Sequence, residues 1–195
     1  IADSAINSGA EILKHQTHIP DEEMSLEALK AIPGNSTQSI YKIIKNCSLS
    51  EDDEEKLMKY IQSKKKIFIS TPFSKAAVDR LIKFNIPAFK IGSGEWNNLD
   101  LIEYICKFKK PIIMSTGMSN LNDLKKTVNF INKKKIPLAL MHCTNVYPTP
   151  LEKSRLNSIT IMQKTFKNNI IGYSDHTVGL YASYAALALG AKIIE

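Results

Sequence analysis

The sequence predicts an α/β fold, a barrel of parallel strands with helices between them, and three observations predict it. Apolar runs suited to buried strands recur at roughly 20–30 residue intervals. Stretches of helical periodicity separate them. Each strand-like run also closes in a short polar tag: ILKHQT (12–17), IFISTPF (67–73), AFKIGSGE (88–95), PIIMSTGM (111–118), LALMHCTN (138–145) and IIGYSDHT (170–177). Parallel strands joined by helices all point the same way, so these tags gather on one face, where α/β barrels hold their reactive groups.

The opening IADSAINSGAEIL reads as the end of an amphipathic helix, 1–9. Strands are expected at 11–16, 67–71, 87–92, 111–115, 137–142, 169–173 and 191–195. Helices are expected at 22–31, 37–46, 51–64, 74–84, 98–107, 120–134, 153–166 and 179–190. Ser50 followed by Asp53 and Glu54 marks a helix start, with acids in the first turn; Asn120 and Asn122-Asp123 do the same for the longest later helix, and Gly190 ends the last one. These are seven strands. An eight-stranded barrel needs one more, expected before Ile1. A doubly wound sheet is the alternative, but it needs a glycine-rich GxGxxG phosphate turn after a strand, and Gly92-Ser93-Gly94 is too short for that pattern. The long segment between the first two strands, through Ile32-Pro33-Gly34-Asn35, is of the kind that carries substrate contacts.

The chain of 195 residues is long enough for a sizeable core, with 44% apolar and 23% charged residues. No apolar stretch approaches the roughly 20 residues of a membrane helix. The start lacks the basic-then-apolar layout of a signal peptide. A net charge of +7 raises a nucleic-acid reading, and position weakens it. The clusters Lys64-Lys65-Lys66, Lys107-Phe108-Lys109-Lys110 and Lys133-Lys134-Lys135 each end an expected helix just before a strand, where cations complement the helix dipole. No nucleic-acid or membrane partner is therefore expected. Cys47, Cys106 and Cys143 lack CxxC spacing, which fits reduced thiols in a cytoplasmic protein.

Lys14 and Lys90 alternate with apolar neighbours at strand ends. A lysine there is costly unless an anion meets it, and the alternative is a side chain that snorkels past the strand end. Two such lysines, with Ser93, Ser115, Asn145 and Ser174 on the same face, point to a cradle for phosphate and carboxylate groups. In strand alternation Lys14 and Gln16 point one way and His15 the other. His176 follows Ser174-Asp175 at a strand end, where imidazole can ligate a divalent metal or act as a base. His142 lies in an apolar run and is expected to pack. Glu95, after Gly94, can reach a sugar hydroxyl or serve as a base; an exposed loop carboxylate is the alternative. Trp96 and Tyr147 are equally suited to stacking on a sugar or to packing; Cys143 reads as a small buried thiol, with a nucleophile as the minor alternative.

In this order, LKHQTHI, IPGN, ISTPF, FKIGSGE, IIMSTGM, LMHCTNVYPTP and IGYSDHT resemble the sialic acid synthases over nearly the whole chain, with KHQTHI and PGN most like the bacterial N-acetylneuraminate synthases. The resemblance implies a TIM (β/α)8 barrel that condenses phosphoenolpyruvate with N-acetylmannosamine and water, giving N-acetylneuraminate and phosphate. It implies a divalent metal, manganese first with magnesium or cobalt as substitutes, and a domain-swapped homodimer. By motif match, Lys14, Thr71, Lys90, Ser93, Ser115, Asn145 and Ser174 would hold phosphoenolpyruvate, with Lys14, Lys90 and Glu95 carrying catalysis. Gln16, Asn35, Glu95 and Tyr147 would contact the amino sugar, and His176 would be one of two metal-binding histidines. The family's first-strand Glu, its second metal-binding His and its small C-terminal antifreeze-like domain have no counterpart here. The chain is thus expected to be a single partial catalytic domain, 1–195, inactive alone. Competing readings are a synthase of legionaminic or pseudaminic acid, a non-catalytic sugar- or anion-binding module, and an aldolase forming a Schiff base on Lys14 or Lys90.

Overall fold

Every strand pairing that the structure defines is parallel, as the recurring strand–helix alternation requires. The computed structural model describes residues 1–34 and 36–195. Their packing falls into two units, Ile1–Phe89 and Lys90–Glu195.

The first unit carries helix α1 (Ala2–Asn7), strand β1 (Ile12–Thr17), the short helix α2 (Pro20–Glu23), α3 (Ile40–Cys47), α4 (Glu51–Ser63), β2 (Ile67–Pro72) and α5 (Lys75–Lys83). β1 runs beside β2 in the register Ile12↔Ile67 through Thr17↔Pro72. Helices α4 and α5 start as their sequences dictate. The Ser50 hydroxyl accepts the Asp53 N–H at 3.1 Å, and the Ser74 hydroxyl accepts the Ala77 N–H at 3.2 Å, each satisfying a first-turn donor. Both helices pack on β2, and Met58, Ile61, Phe68, Val78 and Leu81 bury the apolar faces between them. Strand β3 (Phe89–Ile91) begins at the end of this unit, where Phe89 pairs with Ser70.

The second unit continues β3 and adds α6 (Leu99–Cys106), β4 (Ile112–Ser115), α7 (Leu121–Lys133), β5 (Leu138–Cys143), a 3-10 turn (Leu151–Lys153), α8 (Asn157–Thr165), β6 (Ile170–Ser174) and α9 (Tyr181–Ala188). β4 pairs with β5, and β5 with β6. Asn98 and Asn120 cap α6 and α7 by accepting the N–H of Leu101 and Asp123 at 3.2 and 3.0 Å. Ile102, Ile105, Val128, Ile131, Leu140, Ile159 and Tyr173 form the core. Each such side chain contributes about 1.5–3 kcal/mol by leaving water.

Two expectations change. The helix expected at 22–31 stops at Glu23, because Met24 is extended (φ −118°, ψ 137°) and 26–30 form turns. Leu26 and Ile32 are 77% and 62% exposed, so no core face holds that helix, and a short helix without packing is marginal. The seventh strand, 191–195, is reduced to one isolated bridge, Tyr173↔Ile194. Its ladder with β6 is nonetheless in place: Lys192 and Glu195 donate to Ile171 and Tyr173, and Tyr173 donates to Ile193.

The lysine clusters fall where the helix-end reading put them. Lys64, Lys107 and Lys134 cap α4, α6 and α7, and Lys65, Lys109 and Lys135 take left-handed backbone in the turns that follow. In the second unit they therefore sit at the amino ends of β4 and β5, away from the carboxyl-end tags. Cys47, Cys106 and Cys143 are free, and among the described residues no helix is long and apolar enough to cross a membrane.

Candidate active site

The second unit buries a lysine in its shortest strand. All three residues of β3 are inaccessible, and Lys90 is 3% exposed. A buried ammonium needs partners to offset its lost hydration. Lys90 Nζ donates to Ser115 Oγ, at the end of β4, at 2.7 Å, and stands 3.2 Å from a Glu195 carboxylate oxygen. Charge and donors thus converge where β3, β4 and the 191–195 segment end.

Ser93 joins the next turn to this cluster. Its Oγ accepts the Gly117 N–H at 3.1 Å and lies 3.0 Å from Cys143 Sγ, which donates to Asn145 Oδ1 at 3.4 Å. The approach needs a glycine at 117. A Cβ there would meet Asn145 Oδ1 at 2.0 Å and Ser93 Oγ at 2.8 Å. Ser174 is buried at the end of β6, in register with Cys143. Lys90, Ser93, Ser115, Asn145 and Ser174 all stand at strand carboxyl ends or in the turns just after them, and the first four are joined through Ser115, Gly117 and Cys143 in two adjoining networks.

His176 follows. Its Nδ1–H donates to the Thr144 carbonyl at 2.8 Å, which leaves Nε2 with its lone pair directed elsewhere. Backbone orientation of this kind is how metal-ligating imidazoles are held. Among the described residues no group of three or more His, Cys, Asp or Glu that could hold a metal ion is present; His176 offers one imidazole nitrogen as a donor. The Tyr147 ring lies 4.2 Å from the His176 ring, tilted by 46°, and is 70% exposed. Although Tyr147 is mostly exposed, partial burial of its phenol, with Cys143 and Glu195 nearby, pushes it up. Behind His176, burial opposes the charge of Asp175, but hydrogen bonds from Ser183 Oγ (2.6 Å), Thr177 N–H (2.8 Å) and Tyr173 Oη (3.3 Å) outweigh it and hold the carboxyl below its usual range. Burial, then Asp175, raises the Tyr173 phenol.

Glu95 lies in the turn before α6, where one carboxylate oxygen accepts the Asn98 side-chain amide at 2.7 Å. Trp96 is 9% exposed and belongs to the core. His142 packs as expected: its ring stacks on Tyr173 and its Nε2–H donates to the Ser154 carbonyl at 2.8 Å.

In the first unit, Lys14 and Gln16 occupy one face of β1, both exposed, and Gln16 pairs in register with buried Thr71. His15 points the other way, towards Phe68 and 3.8 Å from Glu54. There the buried Glu54 carboxylate accepts the Thr17 hydroxyl and an Arg80 N–H at 3.3 Å, while Thr17 and Ser70 share a 2.7 Å hydrogen bond. Asn35 lies outside the described residues.

Sequence reasoning missed Glu195, Gly117 and the contacts of Cys143. Glu195 ends AKIIE in the same manner as the other polar strand tags, and that was the available signal. Nothing local marks Gly117, whose need is set by Asn145 from another strand.

The NeuB family model matches residues 1–195. The chain is 35% identical to the N,N'-diacetyllegionaminic acid synthase of Campylobacter jejuni over 98% of its length and 59% of the relative's. It is 33% identical to the N-acetylneuraminate-9-phosphate synthase of Mus musculus over 77% of its length and 42% of that protein's. A solved N-acetylneuraminic acid (sialic acid) synthetase from Leptospira borgpetersenii covers all of the chain, with a TM-score of 0.87 at 26% identity, over 64% of its own length. The chain spans about half the length of the curated relatives it matches. The likeness to such synthases gives the α/β class its form, an incomplete TIM-type barrel.

Proposed function

The chain belongs to the NeuB family of sialic acid synthase-like proteins, and from that premise we propose that it is the catalytic part of an N-acetylneuraminate synthase, which condenses phosphoenolpyruvate with N-acetylmannosamine and water. The observation that carries this reading is the buried Lys90, held by Ser115 beside Ser93 and Asn145. An ammonium, hydroxyls and an amide converging on strand ends suit a compact, highly charged phosphate ester.

In the proposed reaction, carbon 3 of phosphoenolpyruvate gives its π pair to the sugar aldehyde carbon, and the aldehyde oxygen takes a proton. Positive charge develops at carbon 2, spread onto the ester oxygen. Water adds there, loses a proton, and the tetrahedral centre expels phosphate by carbon–oxygen cleavage, leaving a ketone. Lys90, Ser93, Ser115, Asn145 and Ser174 bind the phosphate and carboxylate and so fix carbon 3 for attack. Tyr147 and Glu95 border the acceptor. A divalent cation, manganese foremost, held in part by His176, would supply polarisation of the aldehyde.

The test is phosphate release by the full-length protein supplied with phosphoenolpyruvate, manganese and an acceptor. We expect turnover with N-acetylmannosamine, and Lys90→Met to lower kcat/KM by at least about 100-fold. Undiminished turnover in Lys90→Met, or none without the variant, overturns the reading. A 2,4-diacetamido hexose is the second acceptor to assay, because the legionaminic acid synthase is among the more similar relatives. Trapping of a lysine by borohydride with pyruvate would instead indicate an aldolase.

A further inference from the structure

In the first unit, an imidazole–carboxylate pair stands just beyond the carboxyl end of β1. His18 follows β1 directly, and its Nδ1 lies 2.7 Å from Glu23 Oε1. The two side chains are only 16% and 5% exposed. The other Glu23 oxygen, Oε2, accepts the Ile19 N–H at 3.3 Å. The His18 ring also stacks on Phe73, the residue after β2, with centroids 4.3 Å apart and planes within 8° of parallel. We propose that His18 is a contact for the acceptor sugar: its Nε2 accepts a hydrogen bond from one of the sugar's hydroxyls, and Glu23 is the positioning residue that holds the ring for it. This deepens the synthase reading and rests on it.

The pair lies at the right level of the sheet. The last pairings of β1 with β2 are Gln16↔Thr71 and Thr17↔Pro72, so the register carried one residue further sets His18 opposite Phe73, as the stacked rings show. His18 and Phe73 are each two residues beyond Gln16 and Thr71, the spacing that returns to the same side of a strand. Gln16 is the residue of β1 that motif matching assigns to the amino sugar.

The ring is also in the right state. A carboxylate only accepts hydrogen bonds, so Nδ1 carries the hydrogen, and Nε2 of the neutral imidazole keeps its lone pair. Among the described residues that nitrogen has no hydrogen-bond partner. Phe73 fixes the plane of the ring and Glu23 its rotation within that plane, so a hydroxyl meeting Nε2 orders little that is not already ordered. The same pair accounts for α2. Four residues are too few to hold a helix by propensity alone, although Pro20 presets its first turn. The helix ends on Glu23, which turns back to bind both His18 and Ile19.

The experiment separates the two ring nitrogens in the full-length protein. Asparagine keeps a donor at the Nδ1 position, and with it the Glu23 contact, but has no atom at Nε2; glutamine reaches the Nε2 position. We expect His18→Asn to raise the KM for N-acetylmannosamine by about tenfold or more and to leave the KM for phosphoenolpyruvate within about twofold. His18→Gln should recover part of the loss, and Glu23→Gln should raise the same KM by a smaller factor. Nitrogen NMR of isotopically labelled histidine reads the contact in the unsubstituted protein and without turnover, with the His18 signals assigned by their absence from His18→Gln. Nδ1 should be protonated and Nε2 bare, and Nε2 should shift when N-acetylmannosamine is added. An unmoved Nε2, an unchanged acceptor KM in His18→Asn, or an equal loss for both substrates overturns the inference and leaves the synthase reading standing. No turnover by the unsubstituted protein with any acceptor overturns that reading, and this inference with it.

Discussion

The Lys90 ammonium and the Glu195 carboxylate meet at 3.2 Å, with Lys90 buried and the Glu195 side chain 26% exposed. They are joined across nearly the whole of the second unit's sequence. The pair resolves a physical difficulty, since a lysine in a fully buried strand would otherwise carry an uncompensated charge. It also places Lys90 against the more exposed member of the pair, the Glu195 side chain.

Glu195→Gln should therefore destabilise the protein. Removing one partner of a buried pair is costly, and Glu195's partial exposure reduces the effect to about 1–3 kcal/mol. Urea unfolding monitored by circular dichroism checks this. On the proposed function, the same variant frees Lys90 for an anionic ligand, so phosphoenolpyruvate should bind no more weakly than before. A stability change near zero would mean that Ser115 alone satisfies Lys90.

Gly117→Ala tests the close approach between β4 and β5. The new methyl would sit 2.0 Å from Asn145 Oδ1 and 2.8 Å from Ser93 Oγ, so both must move. Overpacking of this kind costs about 1–3 kcal/mol. Because Ser93 and Asn145 are proposed ligand contacts, phosphoenolpyruvate affinity should fall together with stability. Unchanged affinity would separate these two residues from binding.

Glu54→Gln should be among the most damaging single changes in the first unit. Glu54 is 1% exposed and receives Thr17 and Arg80, with His15 3.8 Å away. The variant strips the half-buried Arg80 of its carboxylate, an effect of about 3–5 kcal/mol for a buried pair. Thermal unfolding measures it. A loss below about 1 kcal/mol would show that Glu51, 3.8 Å from Arg80 Nε, takes over.

Stability should fall as pH drops below about 6.5. Burial, with Arg155 nearby, lowers the pKa of His142 from its ordinary 6.5, against the hydrogen bond to Ser154. Burial likewise lowers His15, where Glu54 opposes it. The unfolded chain then takes up protons first, so the full stability is present above the unfolded value and is lost as pH falls towards the folded one. His142→Gln should flatten the thermal midpoint's dependence between pH 6.5 and 5. The change is bounded by one proton, about 1.4 kcal/mol per pH unit. An identical slope in the variant would assign the dependence to His15 or elsewhere.

Much of this was legible along the chain. The caps at Ser50 and Asn120, the stop at Gly190, the opposite facing of Lys14 and His15, and the lysine-rich helix ends all follow from local spacing. The helix expected at 22–31 stops at Glu23 because periodicity states which face would be buried, not whether a partner surface exists. His142 was legible as a packing residue from its apolar run, whereas Trp96 could be sorted into the core only once its neighbours were known. The role of Glu195 was hidden for the same reason, since its partner lies a whole unit earlier in sequence.

By itself, the sequence determined the parallel strand–helix alternation and the concentration of Lys, Ser, Asn and His at strand carboxyl ends, because pleat and helical periods are short-range properties of the chain. Only the tertiary structure decided which of those groups touch: Lys90 with Glu195 and Ser115, Ser93 with Cys143 and Gly117, His176 with the Thr144 carbonyl. Such contacts depend on the register between strands and on which side chains burial leaves in need of a partner, and neither is written in any one segment.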